Sequence, residues 1–121
     1  MTQKSYEELV ADAKTRIREV SAQDAMELRE RGDGVVFLDV REPQEWNLFR
    51  IPNAVHVPLG QLSERIVEQV APERTVVIYC ASGNRSALAA DAMQRWGYGD
   101  VASLAGGIKG WAYAGGELDE E

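Results

Sequence analysis

The sequence predicts an α/β domain: a small open, mainly parallel five-stranded sheet with helices on both faces. Short apolar runs, among them Val35-Val36-Phe37-Leu38-Asp39-Val40 and Thr75-Val76-Val77-Ile78-Tyr79, alternate along the chain with segments of helical period. The first of these runs is almost wholly apolar and lacks the in-out alternation of a half-exposed strand, which suits a strand covered on both faces. A length of 121 residues, 45% of them hydrophobic, allows one domain with a real core and is too short for two.

Ser5-Tyr6-Glu7-Glu8 has the form of a capping box, and Tyr6, Val10, Ala13 and Ile17 recur on one face behind it, so a leading helix is expected. A brief strand at Arg18-Glu19-Val20 precedes a second helix that starts at Ser21-Ala22-Gln23-Asp24, runs through Ala25 and Leu28, and stops at Gly32. After the strand at 35–40, Arg41-Glu42-Pro43-Gln44-Glu45-Trp46 reads as a short helix, since proline in a first turn removes an amide that has no helical partner. Ile51-Pro52-Asn53 predicts a turn and Ala54-Val55-His56-Val57 a brief strand. Leu59 to Val70 reads as an amphipathic helix in which Leu62, Ile66 and Val70 lie four apart. Beyond Pro72 come the strand at 75–79, a helix from about Ser86 to Trp96 capped by Gly97, a last strand at Val101-Ala102-Ser103-Leu104, and a short closing helix. Ala105-Gly106-Gly107-Ile108-Lys109-Gly110-Trp111 forms a Gly-rich turn expected beside the loop that follows the 75–79 strand. Trp46, Trp96 and Trp111 read as packing residues.

Charge narrows the function classes. With 20 acidic against 13 basic residues, a formal charge of −7 and no basic run, the chain lacks the footprint of a nucleic-acid or anionic-membrane binder. The polar start MTQKSYEELVADAKTR has no signal-peptide character and no apolar run reaches membrane-spanning length, so a cytoplasmic location is expected. Glu117-Leu118-Asp119-Glu120-Glu121 reads as a solvated acidic end without function.

Cys80 is the only cysteine, which excludes an internal disulfide, a multi-cysteine metal site and a resolving thiol within the chain. Free cysteines commonly pack as small hydrophobes. Cys80, however, follows its strand, and Ala81-Ser82-Gly83-Asn84-Arg85 carries the chain into the next helix at the carboxyl-end crevice where open sheets bind ligands. A loop of this kind turns successive N–H groups inward and adds the positive end of a helix dipole, and both favour thiolate over thiol. Cys80 is therefore the candidate nucleophile.

Around it, Gly83 permits a left-handed turn and close approach to the sulfur, and Ser82 and Ser86 carry hydroxyls, with helix capping an equal use for Ser86. Arg85 has a planar donor fork that can orient an oxyanion or hold the loop through a carboxylate such as Asp39, and the residues leave both roles open. Asp39 and Arg41 sit at the end of a neighbouring strand, where Asp39 is expected to brace the Cys80 loop and Arg41 reads as its exposed companion. Lys109 can raise the local potential for an anion, although a solvated lysine is the commoner case. His56, the only histidine, has no ligand set and reads as ordinary strand surface or core.

Cys80-Ala81-Ser82-Gly83-Asn84-Arg85 resembles the CxxGxR active loop of the rhodanese (thiosulfate sulfurtransferase) family. The run LDVREPQEW at 38–46 is similar to that family's upstream signature, and LAGGIKGW at 104–111 to its closing one. On this resemblance the chain divides into an accessory helix at 1–16, a rhodanese domain at 17–116 and an acidic tail at 117–121. It departs from the family where Gly-His-Ile-Pro-Gly-Ala is usual and Phe49-Arg50-Ile51-Pro52-Asn53-Ala54 stands instead. Asn53 is expected to take the left-handed conformation there in place of glycine, and Arg50 to add positive charge near the pocket.

The resemblance implies ping-pong sulfur transfer. The Cys80 thiolate takes the outer sulfur of a small donor such as thiosulfate, and a thiophilic acceptor, cyanide or a thiol such as glutathione or thioredoxin, removes it from the persulfide. The amides of Ala81, Ser82, Gly83, Asn84 and Arg85 would stabilise the charged sulfur, with Asp39, Arg41, Ser86 and Lys109 in support and no metal or organic cofactor required. Two rivals stand beside this. One is a noncatalytic rhodanese-like module that carries sulfur or binds a partner. The other is a phosphatase-like or arsenate-reductase-like enzyme, which would need five residues between cysteine and arginine to wrap a tetrahedral oxyanion, where this chain has four.

Overall fold

A computed structural model of the chain describes residues 3–120. Its elements run α1 (Tyr6–Lys14), β1 (Arg18–Val20), α2 (Ala22–Arg31), β2 (Val36–Asp39), α3 (Pro43–Leu48), β3 (Phe49–Arg50), β4 (Val55–His56), a 3-10 turn (Leu59–Gln61), α4 (Leu62–Gln69), β5 (Val76–Tyr79), α5 (Asn84–Arg95), β6 (Val101–Leu104), α6 (Gly107–Tyr113) and β7 (Asp119–Glu120). Five strands pair in parallel in the order β1-β6-β5-β2-β4, the α/β sheet the sequence predicts. Among the described residues no helix is long and apolar enough to cross a membrane.

The unbroken apolar run of β5 is explained by its place at the centre, where all four of its residues are buried. Val76 and Ile78, with Cys80 beyond them, pack with Leu62 and Ile66 of α4 and Ala89, Ala90 and Met93 of α5. Val77 and Tyr79 join the opposite cluster, with Ala25 of α2 and Ile108 and Trp111 of α6. Chain order reverses between the two middle strands: β2 is followed outward by β4 on one side, and β5 by β6 on the other. Loops leaving β2 and β5 diverge there and open a crevice at the carboxyl ends of both strands.

Several local expectations are met in atomic detail. Ser5 and Glu8 form the capping box of α1, with Glu8 N–H donating to Ser5 Oγ at 3.1 Å and Ser5 N–H to Glu8 Oε1 at 2.8 Å. Val10 and Ala13 are buried and α1 lies along α5, whereas Tyr6 turns outward and is half exposed. Arg16 adds a two-pronged bond to Asp91 of α5 at 3.0 and 2.8 Å, but its own exposure makes the apolar contact the stronger anchor. Asn53 adopts φ 67°, the left-handed conformation expected where the family has glycine.

Four readings are corrected. The acidic end is docked: β7 pairs antiparallel with β3, and Leu118 packs on the α2–α6 side of the core. The Glu117 carbonyl accepts from Trp111 Nε1 at 2.8 Å and its carboxylate meets Arg29 at 2.8 Å. Strand pairing uses backbone groups, which a count of acidic side chains does not register; Glu121, like Met1 and Thr2, lies outside the described residues. Ser86 is not a cap but an interior residue of α5, because Gly83 at φ 106° occupies the N-cap position without a side chain. The segment from Leu59 begins as a 3-10 turn and becomes α-helical only at Leu62. Trp96, finally, is 41% exposed at the end of α5 rather than packed.

Asn53 is exposed, so a substitution there tests backbone conformation with little change in packing. Asn53→Val should cost about 1–2 kcal/mol in urea unfolding, since a β-branched residue pays the full left-handed penalty, while Asn53→Gly should be neutral or mildly stabilising.

Candidate active site

Cys80 follows the last residue of β5, and its side chain is 1% exposed. Its Sγ receives the Gly83 N–H at 3.2 Å and the Ser86 N–H at 3.4 Å, with Ser86 Oγ at 3.5 Å. Burial pushes the thiol up, but the Ser86 hydroxyl and the amides of Ser86, Gly83 and Ser82 outweigh it and hold Cys80 below its ordinary value. Of the amides expected to face the sulfur, those of Ser82 and Gly83 act on it and those of Ala81, Asn84 and Arg85 make no hydrogen bond to it, while the amide of Ser86, one residue beyond the expected set, does.

The start of the loop is held from outside through its carbonyls. Ile108 N–H donates to the Cys80 carbonyl at 2.9 Å and Lys109 N–H to that of Ala81 at 3.2 Å. Both amides belong to the first turn of α6, where N–H groups lack helical partners. Gly107 allows the contact: a Cβ there would lie 2.4 Å from Ala81 O, at a φ of 61° that already favours glycine. The Gly-rich turn therefore does lie against the Cys80 loop.

Arg85 does not bind Asp39. Its guanidinium makes a bidentate pair with Glu45 of α3, at 2.7 Å from Nη1 to Oε1 and 3.0 Å from Nη2 to Oε2. The hydrogen bonds and charge of Arg85 hold the Glu45 carboxyl at about 2, against a smaller upward push from burial. Glu45 also accepts the Glu42 N–H at 2.9 Å, so one carboxylate caps α3 and ties it to the start of α5.

Asp39 belongs to Arg41. The carboxylate accepts from Arg41 Nε at 3.1 Å and Nη2 at 2.7 Å, and Nη2 reaches on to the Phe49 carbonyl at 2.7 Å. The pair is fully buried, not exposed: Arg41 at 2% and Asp39 at 0% lie beneath the crevice, with the guanidinium 5.7 Å from the Tyr79 ring. Asp39 therefore braces the strand end next to Cys80 rather than the loop itself. His56 stacks on Trp46 with centroids 4.7 Å apart, and its Nε2 lies 2.8 Å from the Arg41 carbonyl. Arg50 lies over the Trp46 ring at 4.9 Å and donates to the Trp46 carbonyl at 2.9 Å. Ala81 is half-buried, Ser82 and Asn84 form the exposed rim, and Lys109 is exposed on α6.

A family model for the rhodanese-like domain matches residues 21–114. The chain belongs to the rhodanese family. A thiosulfate sulfurtransferase, GlpE, of Pseudomonas syringae is 31% identical over 97 residues, covering 80% of this chain and 89% of the relative. The protein named probable adenylyltransferase/sulfurtransferase MoeZ of Mycobacterium tuberculosis is 34% identical over 108 residues, which is 86% of this chain but only 28% of MoeZ. A solved structure from Rhodopseudomonas palustris, described as of unknown function and a possible tyrosine phosphatase, superposes with a TM-score of 0.86 at 29% identity and covers 98% of this chain and 97% of its own. As a rhodanese, the chain is a member of a sulfurtransferase family.

Two residues of this rhodanese site escaped the sequence reading. Glu45 was legible only as part of a helix, although a loop arginine without a partner calls for a carboxylate within reach. Ser103 lies fully buried in β6 with its Oγ 2.8 Å from Ser86 Oγ. A hydroxyl inside an otherwise apolar strand is the signal that would have found it, because a buried hydroxyl requires a partner.

Ultraviolet thiolate absorbance, with Cys80→Ser as the blank, should show Cys80 ionising at lower pH in the folded protein than in the urea-unfolded chain. Coincident curves would mean that the cradle does no more than offset burial. Gly107→Ala should displace the Ala81 carbonyl, destabilise the protein by about 1–3 kcal/mol and move the Cys80 titration back toward that of the unfolded chain.

Proposed function

We propose that the protein transfers sulfane sulfur through a persulfide on Cys80. The observation that carries this reading is the set of polar contacts on Sγ: the N–H groups of Gly83 and Ser86 donate to it, and the Ser86 hydroxyl oxygen lies 3.5 Å away. In the first half-reaction the thiolate attacks the outer sulfur of a donor such as thiosulfate. A Cys80 S–S bond forms, the donor's S–S bond breaks, and sulfite leaves with the electron pair. In the second, cyanide or a thiol, such as that of glutathione or thioredoxin, attacks the terminal sulfur and Cys80 departs as thiolate. Inward amides of the 81–85 loop would stabilise the terminal sulfur, and α6 already holds the start of that loop through the Cys80 and Ala81 carbonyls.

Since both prongs of Arg85 are taken by Glu45, the role proposed for Arg85 is to hold the loop on α3. Lys109, with no ion pair among the described residues, is the cation left to attract an anionic donor. A reducing cytoplasm suits a mechanism that needs a free thiol. Phosphate-ester hydrolysis fits poorly, because four residues separate Cys80 from Arg85 and that guanidinium is committed to a carboxylate.

A sulfur-carrier role is the second reading, favoured by the similarity to the protein named putative sulfur carrier protein YrkF of Bacillus subtilis, 32% identical over 95 residues, 78% of this chain and 51% of YrkF. Intact-protein mass spectrometry after incubation with thiosulfate separates the two. A gain of one sulfur that reductant removes and that Cys80→Ser lacks is the expected result. Gain only with a protein persulfide donor, such as a cysteine desulfurase, would establish the carrier role, and gain in Cys80→Ser would refute the persulfide.

A further inference from the structure

Every residue of β6 is buried, and Ser103 is the one among Val101, Ala102, Ser103 and Leu104 that carries a polar side chain. Leaving a hydroxyl unbonded there would cost its full desolvation. It is bonded to Ser86 Oγ, which in turn lies against Cys80 Sγ, so a line of three buried polar atoms runs from β6 through α5 to the sulfur at spacings of 2.8 and 3.5 Å.

We propose that Ser103 is a positioning residue for Cys80, one that aims the Ser86 hydroxyl and lets its polarity follow the charge on sulfur. This rests on the reading of Cys80 as the nucleophile. With Cys80 a thiol, S–H donates to Ser86 Oγ and the Ser86 hydrogen points to Ser103 Oγ. With Cys80 a thiolate, both hydroxyls rotate: Ser103 donates to Ser86 Oγ and Ser86 donates to the sulfur. The thiol proton leaves to solvent, each serine keeps its own proton, and no heavy atom moves. A hydroxyl that is itself accepting a hydrogen bond is a better donor, so the second serine strengthens the first when the sulfur is charged. Cys80 carries that charge twice in a transfer cycle, as the attacking group on the donor and as the leaving group when the acceptor takes the sulfur.

The charged and titratable groups around the thiol lie on other side chains. They are Arg85 on α5 with its partner Glu45 on α3, Tyr79 on β5, the Asp39–Arg41 pair after β2, Lys109 on α6, and Tyr6 of α1 near Arg85. Substituting either serine leaves all of these unchanged, so a shift in the Cys80 titration reports on the hydroxyl chain.

The test is a double-mutant cycle read by ultraviolet thiolate absorbance on the full chain, with Cys80→Ser as the blank. Ser86→Ala should lower the thiolate fraction on the acid side of the titration about tenfold, and Ser103→Ala about threefold. In the Ser86→Ala background, Ser103→Ala should add nothing. Ser103→Thr, which keeps the hydroxyl, should titrate with the wild type. An unshifted Ser103→Ala curve, an equal shift in both backgrounds, or a threonine variant that follows the alanine one would each overturn the proposal. None of these readouts requires sulfur transfer, so the proposal and the persulfide reading fail separately.

Discussion

An amide cradle can exist only if the carbonyls of the same loop are satisfied on its other side. Each peptide that turns N–H toward Cys80 turns C=O away, into a region where an unpaired carbonyl would be costly. The first turn of α6 meets that demand for the first two peptides of the loop, where Ile108 and Lys109 N–H groups, which have no helical acceptor of their own, take the Cys80 and Ala81 carbonyls. The approach is so close that position 107 tolerates no Cβ. Much of the remaining architecture serves this one contact. β5 and β6 are adjacent in the sheet, so the Cys80 loop and the α6 turn leave from neighbouring strand ends. Trp111 anchors α6 in the core beneath.

The two arginines beside Cys80 are each matched to a carboxylate, and the groups bonded to the sulfur itself are dipoles. Arg85 is neutralised by Glu45 and Arg41 by Asp39, one pair partly exposed and the other buried. A buried pair is weak evidence of stability, because desolvation offsets the attraction. Its usefulness lies in geometry: Asp39 holds the Arg41 guanidinium against the Phe49 carbonyl and the Tyr79 ring. Fixed dipoles of amides and hydroxyls then tune the thiol without bringing a mobile cation to it.

The parallel sheet and the place of Cys80 after its strand were legible in the sequence because each depends on local pattern: apolar runs for β2 and β5, glycines at Gly32 and Gly97, a cysteine following its strand. Long-range choices of partner were not. Both Asp39 and Glu45 were available to Arg85 in the sequence. Asp39 is two residues from Arg41 and is captured locally, while Glu45 reaches Arg85 only because α3 folds over the crevice. The same limit hid the docking of 117–120, where one apolar side chain, Leu118, and backbone pairing outweigh an acidic composition. Ser103 was visible as a strand residue, but the partner that makes it informative lies on another element.

The segment in which the chain departs from its family is also the segment that the tail secures, and the two facts explain each other. Where Gly-His is usual, Phe49 and Arg50 form β3, and an isolated two-residue strand cannot be stable unpaired. β7 supplies the pairing, and Arg41 takes the Phe49 carbonyl from the other side. One residue further on, Ile51 N–H donates to the Tyr79 hydroxyl, so the turn is fastened to the strand that leads into Cys80. The tail meanwhile accepts from Trp111 through the Glu117 carbonyl, and Gly116 lies so close to the indole that a Cβ would fall 2.3 Å from Nε1. Thus the tail joins two supports of the active loop, the substituted turn under β5 and the helix that holds the loop carbonyls. The acidic end is part of the structure that positions Cys80, although it lies beyond the matched family domain.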